Sequence, residues 1–411
     1  MDLPSDFVSK QFTEYYKRDS SHLQAPSNIE SREFGFLISN RTIMIRHKKF
    51  KTRNDLRSFF LEAIPSDAYY SSAYYENPEA EMGEKGWVGA DLIFDIDADH
   101  ILTPCGKVHD IWACCSCGFA GRGRSPQKCP VCSEAKFDVE TWMCEECLES
   151  AKKETFKLVD MLMKDFGFQK SEIKLFFSGN RGYHVHIENE QVHPLDSTIR
   201  KEIVDYVIGL GFQESLHRII EGDKLILEGN SGDAGWKPRI TKGTIDFLTK
   251  ATKADGSMME LGKNAVDHIV NNRKTLLDNI ESYRWLKIKG VGVKNWRKII
   301  QKVAEIQSAK VDTVVTTDVH RLIRLPGSLH GKTGLLKFES TINGLDHFDP
   351  LNEAVAFRKG DVSVDIIRSP KFRIGNESYG PFNNSRNILL PTAAALFLAC
   401  KGAVQAVKPN V

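Results

Sequence analysis

The longest apolar run in the 411-residue chain is LLPTAAALFLAC, from Leu389 to Cys400, and Pro391 interrupts it. A helix needs roughly 20 apolar residues to span a bilayer. The run therefore predicts a buried terminal helix and no contact with a membrane. The first ten residues, MDLPSDFVSK, carry no apolar export core, so a cytoplasmic protein is expected. No low-complexity tract or internal repeat is visible, which argues against solenoid and fibrous architectures. Excess charge is lacking too: 56 basic and 54 acidic residues leave a net +2. A nucleic-acid surface would have to come from local clusters. Cysteine is almost absent outside one window. Of nine cysteines, eight lie between Cys105 and Cys147, and only Cys400 lies outside. Clustered CxxC pairs without an export signal indicate metal ligation rather than disulfides. The length implies two or three lobes.

Three CxxC pairs stand in the window: Cys114/Cys117, Cys129/Cys132 and Cys144/Cys147. A CxxC can turn both thiolates toward one ion, and two such pairs complete a tetrahedral zinc site. The first two pairs are separated by GFAGRGRSPQK, rich in glycine and basic residues, and read as a zinc ribbon with a hairpin tip. The third pair needs partners, and Cys105 and His109 supply them. Two nested, closed sites follow, structural rather than catalytic. Cys115 remains an alternative ligand for either neighbour. The stretch after Leu148 places Phe156, Val159, Leu162, Met163 and Phe166 on one helical stripe, with Gly167 as a stop.

Just before the cysteines the chain reads LIFDIDADH, Leu92 to His100. Strand alternation puts Leu92, Phe94 and Ile96 on one face and Asp91, Ile93, Asp95 and Asp97 on the other. Two carboxylates about 5 Å apart repel by roughly 3 kcal/mol at an effective dielectric near 20. Raised pKa values, basic partners or a divalent cation must compensate. After the helix comes IKLFFSGNRGYHVHI. Its two strand-like halves flank SGNRG, where glycines admit close backbone approach and Ser178, Arg181 and His184 offer donors. That set suits phosphate oxygens. Further on, VDTVVTTDVHRLIRLPGSLHGKTGL places Asp312 before an apolar, strand-like stretch and then Arg321, Arg324, His330 and Lys332 close together. One more carboxylate for a metal and several cations for phosphates are what a metal-bound triphosphate requires.

The combination resembles the small, catalytic subunit of archaeal and eukaryotic DNA primases, in a form closer to the archaeal one. Four motifs carry the resemblance in order: FDID, the cysteine/histidine insertion, SGNRGYH, and the Asp312 to HRLIRLPGSLHGKTGL segment. REFGF (Arg32 to Phe36) and MIRHKKF (Met44 to Phe50) form a fifth. The resemblance implies that Asp95, Asp97 and Asp312 bind two catalytic Mg²⁺ or Mn²⁺ ions, with Asp318 a nearby competitor for the third place. It implies nucleotide contacts by Ser178, Gly179, Arg181, His184, Arg324, His330 and Arg46, and zinc ligation by Cys105, His109, Cys144 and Cys147. It does not cover the ribbon of Cys114, Cys117, Cys129 and Cys132, where a second zinc is expected from spacing alone. Arg122, Arg124 and Lys128 of that ribbon suggest a nucleic-acid contact, with a subunit contact as the alternative. The partners implied are a single-stranded DNA template, NTPs or dNTPs, and a large subunit bearing an iron–sulfur cluster in a heterodimer.

The architecture expected is α/β, a primase-polymerase core on a mixed sheet that holds FDID, the SGNRGYH hairpin and an Asp312 strand. The core would comprise residues 1–102, 149–192 and 311–411, with a zinc-binding stalk at 103–148 and a mostly helical insertion at 193–310. Two basic clusters are candidates for template binding: Arg46 to Arg53, and Lys287 to Lys302 with Trp296 as a stacking ring. The activity expected is template-directed nucleotidyl transfer that makes short primers. The rival readings are a metal-dependent nuclease and a zinc-ribbon factor that binds nucleic acid without catalysis.

Overall fold

The computed structural model describes residues 3–38, 43–101, 103–227, 233–252 and 260–408. The chain divides into two compact units: Met1–Lys153, Ser171–Arg200 and Asp312–Val411 form the first, and Glu154–Lys170 and Lys201–Val311 the second. The 154–170 stretch, placed above with the catalytic core, thus groups with the second unit.

Two four-stranded sheets dominate the first unit. One runs in the order Leu322–Arg324, Pro65–Ser71, Phe34–Ile38, Met44–Lys48; the other runs Phe338–Ser340, Ile173–Phe177, Gly182–Ile187, Leu92–Asp97. Every strand pairing among the described residues is antiparallel. The mixed sheet expected from the sequence is therefore corrected. Neighbours such as Ile173–Phe177 and Gly182–Ile187 are joined by a short hairpin, which reverses direction, whereas a parallel pair would need a long crossover. Phenylalanines pack the first sheet against the Arg53–Ala63 helix: Phe36 lies 4.5 Å from Phe59 and 5.8 Å from Phe60, centroid to centroid. Burying each such ring is worth about 1.5–3 kcal/mol. Thr52 and Asp55 start that helix with a reciprocal capping box.

The expected Asp312 strand is also corrected. Asp312 caps the Thr313–Thr317 helix, its carboxylate accepting from the Val314 N–H. The Val and Thr run has β-propensity, and the cap at its start overrides it. The Asp312 N–H donates to the Asp95 carbonyl at 2.8 Å, which fixes the third acid beside the first without a strand.

The cysteine window forms a three-stranded sheet of Ala120–Arg122, Ile111–Cys114 and Phe137–Glu140. Near the end of the chain, Thr392–Cys400 is a buried helix, as the apolar run predicts. Among the described residues no helix is long and apolar enough to cross a membrane.

The second unit is mainly helical, with Trp236–Lys250, Lys263–Asn271, Arg273–Tyr283 and Val293–Gln307 beside a small sheet. Gly243 lets two of its helices approach closely; a Cβ there would lie 2.5 Å from Val303. Trp296 is fully buried, so the exposed stacking ring expected at this position is not present. An amphipathic helix turned its one tryptophan into the core, and Arg297, Lys298 and Lys302 pair with Glu214, Glu260 and Glu305.

Candidate active site

The Leu92–Asp97 strand alternates as the sequence suggests. Leu92, Phe94 and Ile96 are fully buried, while Asp95 and Asp97 are half-buried on the other face. Register with the Gly182–Ile187 strand sets Asp95 opposite His184 and Asp97 opposite Gly182. A Cβ on Gly182 would meet the Ile96 carbonyl at 2.1 Å, so only glycine lets the hairpin close on this strand. The His184 imidazole Nε2 lies 3.5 Å from Asp95 Oδ1.

Asp95, Asp97, Ser178, Asn180, His184, Arg321, Arg324 and His330 line one cavity of about 180 Å³, with Tyr69 in its wall. Burial, then the charges of Asp97 and Asp312, push the Asp95 carboxyl up to about 7. Asp97 is raised as well, chiefly by burial. Three acids are thus crowded at one place, and a divalent cation is the partner that relieves such crowding. Facing them are donors. Burial, with Arg324 and Lys401, holds His330 neutral, and its Nδ1 accepts from the Lys332 N–H at 3.1 Å. That assignment leaves Nε2–H as a donor. Burial and the Lys337 charge hold His184 neutral also. Arg324 is gripped by Asp67 and donates to the Tyr69 hydroxyl at 3.1 Å and to the Leu329 carbonyl at 3.3 Å. Asp67 accepts in addition from the Gly331 N–H at 3.0 Å, so one carboxylate fixes both the arginine and the loop after His330. Gly179, with φ of +87°, has its Cα 's missing side chain facing the His330 Cβ, and its carbonyl accepts from Thr333.

Three expected nucleotide contacts, Gly179, Arg46 and Arg181, are outside the cavity lining. Arg46 pairs with Glu33 at 3.0 Å and is outside the cavity lining. Arg181 is 1 % exposed and does not line the cavity; its guanidinium pairs with Asp99 and Asp110 and donates to the Trp142 carbonyl. The carboxylates reach it first, because Asp110 arrives from the cysteine window. Conversely, Tyr69, Asp67 and Asn180 carry no separate signal in the sequence, although Asn180 stands inside the SGNRG motif.

Beside this site, Cys105, His109, Cys144 and Cys147 form one potential metal cluster, and Cys114, Cys117, Cys129 and Cys132 a second; within each, all ligand atoms lie within 4.8 Å of one another. Sulfur separations are 3.4 and 3.6 Å in the first and 3.5 and 3.6 Å in the second. Tetrahedral zinc with bonds of about 2.3 Å sets neighbouring sulfurs about 3.8 Å apart, so both donor sets fit that ion. Hydrogen bonds from Cys147 and His109 hold the Cys144 thiol at about 3, in the thiolate form a metal needs. The His109 Nδ1 meets Asp110 at 2.8 Å, which leaves Nε2 for the metal. Cys115 is exposed and belongs to neither cluster.

A sequence profile of the DNA primase small subunit family matches residues 135–342. Over its whole length the chain is similar to archaeal proteins named DNA primase small subunit PriS. That of Methanothrix thermoacetophila is 34 % identical over 97 % of this chain and 98 % of its own. That of Methanococcoides burtonii is 34 % identical over 98 % and 99 %, and that of Cenarchaeum symbiosum 31 % identical over 97 % and 98 %. With Asp95, Asp97 and a set of phosphate-suited donors lining one cavity, Asp312 held beside Asp95, and this similarity from end to end, the chain belongs to the DNA primase small subunit family.

Proposed function

We propose that this primase subunit joins nucleotides on a single-stranded DNA template in the cavity between Asp95 and Arg324. The observation that carries the reading is the meeting of Asp95, Asp97 and Asp312 opposite neutral histidines and a fixed arginine. Asp95, Asp97 and Asp312 would hold two Mg²⁺ or Mn²⁺ ions, which when bound lower the pKa of a primer hydroxyl and offset the charge of the triphosphate. The chain's own residues do the positioning. His184 and Asp95 share the strand pair that sets the distance between acid and donor. Ser178 and Asn180 of the hairpin turn line the cavity, Arg321 and Arg324 supply charge, and His330 donates from Nε2. Such a cradle fixes the β- and γ-phosphates so that attack at the α-phosphate is in line.

Residues 103–148 act as a zinc-bearing insertion on this core, with one zinc per cluster. The template backbone is bound electrostatically, with Arg46 to Arg53 on the first unit as its contact. The partners are a large subunit with an iron–sulfur cluster, and NTPs or dNTPs.

Template-directed synthesis with labelled NTPs and dNTPs, with and without Mn²⁺, tests the reading. Wild-type protein should extend primers, and Asp95→Asn should fold and show at least a thousandfold loss. Extension by Asp95→Asn within tenfold of wild type would overturn the assignment.

A further inference from the structure

Arg181 lies in the phosphate-suited loop yet is spent on the protein itself. Its Nη1 donates to both Asp110 oxygens, at 3.0 and 2.9 Å, and to the Trp142 carbonyl at 3.0 Å. Its Nη2 pairs with Asp99, and its backbone carbonyl accepts from the Ala98 N–H at 3.2 Å. Asp99 in turn donates its N–H to Asp97 Oδ1 at 2.9 Å, which orients the second metal-binding acid. On the other side, Asp110 accepts from the Trp142 N–H at 3.0 Å and touches His109 Nδ1 at 2.8 Å, while His109 Nε2 stands 3.3 Å from Cys147 Sγ. The path from zinc ligand to Asp97 is therefore continuous: His109, Asp110, Arg181, Asp99, Asp97. The buried guanidinium bridges two carboxylates, Nη1 on Asp110 and Nη2 on Asp99, and its planar geometry makes it a rigid link between them.

We propose that Arg181 and Asp110 are positioning residues that couple occupancy of the Cys105/His109/Cys144/Cys147 site to the orientation of Asp97. Arg181 does not hold triphosphate. This rests on the primase reading of the acid site. Coupling between two sites is reciprocal. Metal and nucleotide bound at the acids must therefore strengthen the hold of this site on zinc, and the ribbon cluster, which shares none of these bonds, must not respond.

The test uses the full-length, zinc-loaded protein and a chromogenic chelator that reports zinc release. Two release phases are expected in wild type. Mn²⁺ with a non-hydrolysable NTP should slow the phase from the histidine-containing site by threefold or more and leave the ribbon phase unchanged. In Asp110→Asn the basal release of that phase should rise about tenfold or more. In both Asp110→Asn and Arg181→Met the Mn²⁺–nucleotide effect should vanish, while the dissociation constant for the nucleotide stays within threefold of wild type. Slowing that persists in either variant overturns the proposal. So does a loss of nucleotide affinity in Arg181→Met with the zinc response intact, since that is the behaviour of a triphosphate ligand. If Arg181→Met does not fold, Asp110→Asn decides by the same readout. Failure of the primase reading itself would show separately, as wild-type protein that makes no template-directed product.

Discussion

The two cysteine clusters each bring four ligand atoms within 4.8 Å of one another, in different surroundings. The inner one, Cys105, His109, Cys144 and Cys147, includes a histidine whose second nitrogen is held by Asp110, and three of its four ligands are buried. From Asp110 a chain of charged hydrogen bonds runs to the strand of the metal-binding acids. The outer cluster has four thiols, two of them exposed, and backbone N–H groups support Cys117 and Cys129. There the Cys132 N–H holds the Cys129 thiol down at about 7. The difference teaches that a zinc site's donor set identifies the ion, while the groups behind its ligands decide what the ion is connected to.

The largest expected effect separates the two sites. Cys147→Ser should lose one zinc, lower the melting temperature and cut primer synthesis a hundredfold or more. Cys132→Ser should also lose one zinc, with less than a tenfold fall in synthesis. Zinc content and extension rate measured on the same preparations check the pair; equal losses of activity would erase the contrast.

Next in size is a comparison within the cavity. Arg324→Ala leaves Asp67 buried without its charged partner and should destabilise the fold by about 3–5 kcal/mol as well as raise KM for nucleotide. Arg321 also lines the cavity, and among the described residues no ion pair fixes its side chain in the way Asp67 fixes Arg324. Arg321→Ala should raise KM with stability within about 0.5 kcal/mol of wild type. Denaturant melts and steady-state kinetics separate the two outcomes.

A pH effect follows from Asp95. In the folded, metal-free protein its carboxyl stays protonated up to about 7, whereas the unfolded chain releases that proton near the ordinary carboxylate value. The folded state binds the extra proton across this window, so Asp95 destabilises the fold increasingly as pH rises from about 4 to about 7. The melting temperature of Asp95→Asn minus that of wild type should therefore grow across the window and level off above it. A difference independent of pH would mean that the acid is ionised in the empty site. The smallest effect belongs to the ribbon surface. Lys128→Ala should leave stability within about 0.5 kcal/mol and both zinc ions in place, while weakening single-stranded DNA binding if the ribbon touches template.

Much of the site was legible because its chemistry is local. The Leu92–Asp97 alternation displays two acids on one face, and each CxxC announces its ion from four residues. Arg181 was not legible: a guanidinium in a glycine-rich turn reads the same whether it meets a phosphate or a carboxylate from Asp110, 71 residues earlier. Asp312 was read as a metal acid before a strand, yet its short-range N-cap made a helix of Val314 and its neighbours. Trp296 failed as a stacking ring because a cluster of lysines says which face of a helix is wet only after the tryptophan's place on the wheel is known. Asp67 and Tyr69, which fix Arg324, lie in a strand with no motif of their own.

Convergence of Asp95, Asp97 and Asp312 on one divalent-ion site is the central claim, and Mn²⁺ titration followed by electron paramagnetic resonance tests it most directly. Asp95→Asn, Asp97→Asn and Asp312→Asn should each weaken Mn²⁺ binding at least tenfold in folded protein, with Asp318→Asn binding as wild type does. Wild-type Mn²⁺ affinity in Asp312→Asn would contradict it.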